Sequence, residues 1–94
     1  MLIELETLTD DHRALLKAAV GNGGSLSLFR RTDTRGPAVR TPTRKFFDPR
    51  DASVATRYID SLKHLVELSL LRPKSSEMFE LTNQGWEMAA KVGR

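Results

Sequence analysis

The strongest constraint on what this chain can become is the stretch from Ser53 to Ala90, where helical, strand-like and again helical patterning follow one another. Ala55, Tyr58, Ile59, Leu62, Leu65 and Val66 recur at three- and four-residue steps and so share one stripe of an α-helix. Thr56, Arg57, Asp60, Lys63, His64 and Glu67 fill the other side. Leu70 and Leu71 lead into the turn-rich run Arg72-Pro73-Lys74-Ser75-Ser76, and Met78 to Leu81 alternates like a strand. Thr82 stands where a helix N-cap belongs, because its hydroxyl can accept from a free backbone N–H of the first turn. Trp86, Ala89 and Ala90 continue as the apolar face of that closing helix.

Upstream, Met1 to Leu8 alternates weakly and reads equally as an edge strand or a short helical lead-in. Thr9 or Asp10 caps a helix from about Asp10 to Val20, with Leu15, Leu16, Ala18, Ala19 and Val20 on its apolar side. Asp10 and Asp11 suit the positive end of that helix, and Gly21-Asn22-Gly23-Gly24 stops it. Ser25 to Phe29 alternates, with Leu26 and Leu28 on one face, and reads as a strand.

Arg30 to Phe47 admits two readings. Asp33 to Pro37 has turn chemistry, and Ala38 to Phe47 is rich in Val, Thr and Phe, so the segment can return as a strand and close a β-hairpin. An extended Ala38–Phe47 would put Arg40 and Arg44 on one face. Pro37 and Pro42 interrupt any ladder, so a disordered basic loop is the alternative. Asp48-Pro49-Arg50-Asp51 is a helix-start signal, with Asp48 at the N-cap and Pro49 at the first helical position. The helix either runs unbroken to Leu68 or breaks near Ser53.

Two quoted runs, LKHLVELSLL (62–71) and FELTNQGWEMA (79–89), with a short hairpin between them, resemble the winged-helix variant of the helix-turn-helix fold found in bacterial-type transcriptional regulators. The first is similar to a leucine-rich helix running into a "GLL"-like bend. The second is similar to the aromatic-x-Leu-Thr-x-x-Gly closing segment. The resemblance covers Ser53 to Ala90 well and the rest loosely. It implies one small α+β domain over residues 1–94 with a short antiparallel sheet, one strand before the recognition helix and two after it. The basic hairpin or loop stands where the family has a short helix. Ser69 stands where the usual bend has Gly, and its β-carbon opposes a left-handed bend.

The net charge of +3 is unevenly placed. Residues 30 to 50 carry seven basic side chains against Asp33 and Asp48, while the remainder of the chain is net acidic. A local excess of this kind attracts a polyanion. The expected function is double-stranded DNA binding in transcriptional regulation. Arg30, Arg31, Arg40, Arg44 and Lys45 would grip phosphates, and Thr56, Arg57 and Lys63 would face a groove. A homodimer would match palindromic sites. Asp60 and Glu67 on the same helix face, with Glu77 and Glu80 beside the last strand, would repel phosphate. They favour a second reading: a protein-interaction module (an adaptor, an inhibitor or a regulatory domain of a larger protein) whose basic segment meets an acidic partner.

Other classes find little support. There is no cysteine, so no disulfide framework, thiolate metal site or cysteine nucleophile. No apolar run approaches the roughly 18 residues of a membrane span, and no signal peptide is visible, so a cytoplasmic protein is expected. His12 and His64 have no spaced partners for a metal site or a catalytic array, and GNGG does not match a phosphate-binding loop. No enzyme activity and no cofactor are expected. Trp86 and Tyr58 read as core; of the adjacent Phe46 and Phe47, one is expected to be exposed.

Overall fold

The computed structural model describes residues 8–30, 37–42, 44–48 and 50–92. In chain order these form α1 (Asp10–Gly21), β1 (Ser25–Arg30), β2 (Pro37–Thr41), β3 (Arg44–Phe46), α2 (Ala52–Glu67), β4 (Leu71–Pro73), β5 (Met78–Leu81) and α3 (Asn83–Val92). The five strands make one sheet in the order β3-β2-β1-β5-β4, antiparallel at every step. The class is α+β, as expected. The sheet is larger than the three-stranded one expected, because three strands precede α2 instead of one.

The core lies between the helices and one face of this sheet. Leu26, Val39, Phe46, Leu71 and Leu81 supply the sheet side; Leu15, Leu16 and Ala19 of α1, Leu62 and Leu65 of α2, and Met88 and Ala89 of α3 supply the other. The period-two alternation of β1 and the three-to-four-residue stripe of α2 are thus both satisfied by a single apolar layer. On the far side of the sheet the register aligns Ser27, Arg40 and Lys45 in one row, and Phe29 beside Ala38 in the next.

Helix ends follow local chemistry. Thr9 caps α1 through a reciprocal box: its hydroxyl accepts from the His12 N–H at 3.2 Å, and His12 Nδ1 accepts from the Thr9 N–H at 3.0 Å. At the other end Gly24 has φ +94°, and a β-carbon there would stand 2.5 Å from Cζ2 of Trp86. Trp86 therefore lies against Gly24 and stays 42% exposed, which corrects its reading as core. The face that α3 buries is Gly85, Met88 and Ala89, while Ala90 is exposed.

Three further expectations are revised. Ala38–Phe47 is not one strand; the chain reverses between Thr41 and Arg44, which pair with each other, and the Thr41 hydroxyl accepts from the Arg44 N–H at 3.1 Å. The N-cap of α2 is Asp51, whose carboxylate accepts from the Ser53 N–H at 3.0 Å. Asp48 instead closes the preceding turn by accepting from the Arg50 N–H at 2.8 Å. Ser69 does adopt the left-handed conformation, at φ +64°. Its N–H donates to Val66 and that of Leu70 to Leu65, the two bonds of a Schellman ending that folds buried Leu70 back over buried Leu65. The expected readings of residues 1–7, of the turn at residues 33–36 and of Pro49 lie outside the described residues.

Candidate nucleic-acid interface

The exposed side of α2 carries Thr56, Arg57, Asp60, Lys63, His64 and Glu67. Helical spacing puts Thr56, Asp60, Lys63 and Glu67 in one row and Arg57, Asp60 and His64 in the next. Lys63 has no carboxylate partner among the described residues. Thr56 turns its hydroxyl back to the Ala52 carbonyl at 3.4 Å.

Arg57 is not a free cation. Its guanidinium meets the Asp11 carboxylate of α1 at 2.8 Å and lies 5.2 Å from the centre of the Tyr58 ring. A hydrogen bond to Tyr58 and the charge of Asp11 raise its pKa above the ordinary arginine value. Asp11 is 46 positions away in the chain, and nothing in the sequence signals this pairing.

The β2–β3 turn divides the basic segment between two faces. Arg44 is on the helix side of the sheet's edge, with its guanidinium 4.9 Å from the centre of the Phe46 ring. Phe46 in turn meets Tyr58 of α2 at 4.9 Å between ring centres. A continuous series Arg44–Phe46–Tyr58–Arg57 therefore joins the hairpin to the first half of α2. Arg40 pairs with Lys45 on the opposite face. The expectation that Arg40 and Arg44 share a face is overturned, because the intervening reversal changes the parity of the side chains. Phe46 packs on Tyr58 and Phe47 on Phe29, on opposite sides of the sheet, but Phe47 is half-buried by that contact, so, contrary to expectation, neither ring is exposed. Arg31 and the side chain of Arg30 lie outside the described residues.

Beside Arg57, a shallow groove between the start of α1 and the middle of α2 is lined by Asp11, His12, Asp60 and His64. His12 Nε2 and His64 Nδ1 are 3.1 Å apart. Since Nδ1 of His12 accepts from Thr9, its Nε2 carries the proton and donates to His64. Burial and then the neighbouring His64 lower the pKa of His12, with Asp11 opposing them. The Thr-x-x-His spacing at the start of α1 could have suggested the capping role of His12; its contact with His64, 52 positions away, has no local signature.

Among the described residues no group of three or more His, Asp or Glu side chains is placed to hold a metal ion, and no helix is long and apolar enough to cross a membrane. Comparison of the chain with protein-family models, with curated proteins and with solved structures finds no match.

Proposed function

We propose that the chain is a winged-helix double-stranded DNA-binding protein acting in transcriptional regulation, with α2 as its recognition helix and the β4–β5 hairpin as its wing. The observation that carries this reading is the Arg44–Phe46–Tyr58–Arg57 series, which links a hairpin arginine through two aromatic rings to Arg57 on the exposed side of α2. An α-helix fits the major groove of B-DNA, and cations flanking it bind the phosphates on either side. In this reading Arg44 and Lys63 neutralise phosphates, Thr56 approaches base edges, and Arg57 exchanges Asp11 for the nucleic acid. The chain binds as a symmetric dimer on paired half-sites.

Fluorescence anisotropy with a labelled duplex at roughly 50 and 200 mM salt tests it, since each phosphate contact contributes about −0.9 to the slope of log affinity against log salt. Replacing Arg44 and Lys63 together by Ala is expected to reduce that slope by about 1.8. Duplex affinity that is absent at the lower salt, or unaffected by the double substitution, overturns it. Asp60 and Glu67, in one row with Lys63, favour the second reading of a protein-interaction surface; recovery of one specific partner in a pull-down, with no duplex binding, would establish that instead.

A further inference from the structure

We propose that the open face of the sheet is a second binding surface, for single-stranded nucleic acid, with Arg40 and Lys45 on the phosphates and one base stacked on the outer plane of the Arg40 guanidinium. The inference does not depend on α2 binding a duplex, because it uses other residues on the opposite side of the sheet.

The first observation is charge placement. Arg40 and Lys45 are directly opposed across β2 and β3, both exposed, and neither has a carboxylate partner among the described residues. Like charges directly opposite on a sheet repel. On the same face the chain does build a matched pair: Arg72 and Glu80, opposed across β4 and β5, meet at 2.6 Å. Among the described residues this like-charged pair is thus a local feature of one edge of the face, and its complement is an anion.

The second observation is a cation–π contact already formed. The Arg40 guanidinium carbon lies 4.3 Å from the centre of the Phe29 ring. Phe29 is held from the side by Phe47, edge to face, with ring centres 5.7 Å apart. Between them in the register is Ala38, fully buried although it is on this face. Its small side chain leaves room for the two rings to meet. An arginine plane held over an aromatic ring presents a flat, charged surface, and unpaired bases stack on such planes and on aromatic rings.

The third observation is space. A depression of about 350 Å³ beside this contact is lined by Ser27, Arg40, Thr41, Pro42 and Lys45, with the two cations and the Ser27 hydroxyl on this face of the sheet. Base access decides between a single strand and a duplex. The bases of a duplex are stacked on one another and offer no free face to the Arg40 plane, whereas those of a single strand do.

The test is fluorescence anisotropy of the intact chain with a labelled oligothymidylate of about 15 nucleotides, near 50 mM salt and over a salt series. Expected are micromolar binding by the unaltered chain, loss of about tenfold or more in Arg40→Ala/Lys45→Ala, and a salt slope smaller by about 1.4 in that variant. Arg40→Lys keeps the charge and removes the plane; it should keep the salt slope and lose affinity several-fold. Arg44→Ala/Lys63→Ala should leave oligothymidylate binding unchanged. All four sites are exposed, and circular dichroism verifies that each variant is folded. No binding by the unaltered chain, equal losses from both double variants, or an Arg40→Lys variant matching the unaltered chain would overturn the proposal. Duplex binding lost only in Arg44→Ala/Lys63→Ala would leave the α2 reading standing whatever the oligothymidylate result.

Discussion

The hydroxyl of Thr82 donates to the backbone carbonyl of Ser69 at 2.5 Å, tying the start of α3 to the bend that ends α2. The same oxygen accepts from the Gly85 N–H at 3.0 Å, and the Thr82 N–H donates to the Leu70 carbonyl at 3.1 Å. One side chain therefore caps a helix and fastens a loop, which gives the Leu-Thr-x-x-Gly run its physical content. Thr82→Ala should lower unfolding free energy by about 1–2 kcal/mol, combining a lost cap with a lost hydrogen bond. Thr82→Ser should stay within about 0.5 kcal/mol, because the oxygen is kept. Urea unfolding of the two variants separates these outcomes.

Gly85 is the other half of that run. A β-carbon there would collide with the Leu70 carbonyl oxygen and press on the Leu81 side chain. The first obstacle is backbone and cannot rotate away. Gly85→Ala should cost about 3 kcal/mol or more, although Ala is the better helix former. A melting temperature within a degree or two of the unaltered chain would show that α3 can shift to admit the methyl group.

Ser69 carries a left-handed conformation at φ +64° with an ordinary side chain. The conformation costs a non-glycine residue roughly 1–2 kcal/mol, and glycine returns part of that saving as chain entropy. Ser69→Gly is therefore expected to raise stability by up to about 1 kcal/mol, read as a higher urea midpoint with an unchanged m-value.

The His12–His64 contact makes stability depend on pH. The pKa of His12 is lowered in the folded state below 6.5. The unfolded chain then binds more protons between the two values, so the stabilisation is complete above about pH 6.5 and is lost as pH falls below it. Protonation also deprives the Thr9 N–H of its acceptor. The groups facing the ring are Asp11 on α1 and Arg57, Asp60 and His64 on α2. The melting temperature should fall between pH 7.5 and 5, and less steeply in His64→Ala, where one cause of the lowered pKa is gone.

Asp11 competes with any anion for Arg57 at 2.8 Å. An exposed, solvent-screened ion pair of this kind contributes little to stability, so Asp11→Asn should leave the fold intact. If Arg57 belongs to a duplex-binding face, the same substitution should tighten duplex binding several-fold in the anisotropy assay. Unchanged affinity would remove Arg57 from that face.

Repetition along one segment was enough to determine much of this protein. The stripe from Ala55 to Val66, the alternation of β1 and β5, the glycines after α1 and the hydroxyls of Thr9 and Thr82 each act within a few residues, and each forms the element it signals. Tertiary structure decided the rest. Asp48 and Asp51 are equally good caps, and only the turn between them selects Asp51. The run from Ala38 to Phe47 is strand-like except at Pro42, where the chain reverses, and the register of the two arms is set by pairing with β1 and by Phe46 reaching Tyr58. That reversal sends Arg40 and Arg44 to opposite faces and splits one basic segment into two candidate surfaces. Ser69 bends to the left because burial of Leu70 outweighs the local strain. The pairs Asp11–Arg57, His12–His64 and Ser69–Thr82 join positions far apart in the chain. Periodicity records which side of an element is apolar; which distant element covers that side, and in what register, follows from contacts that exist only once the layers have packed.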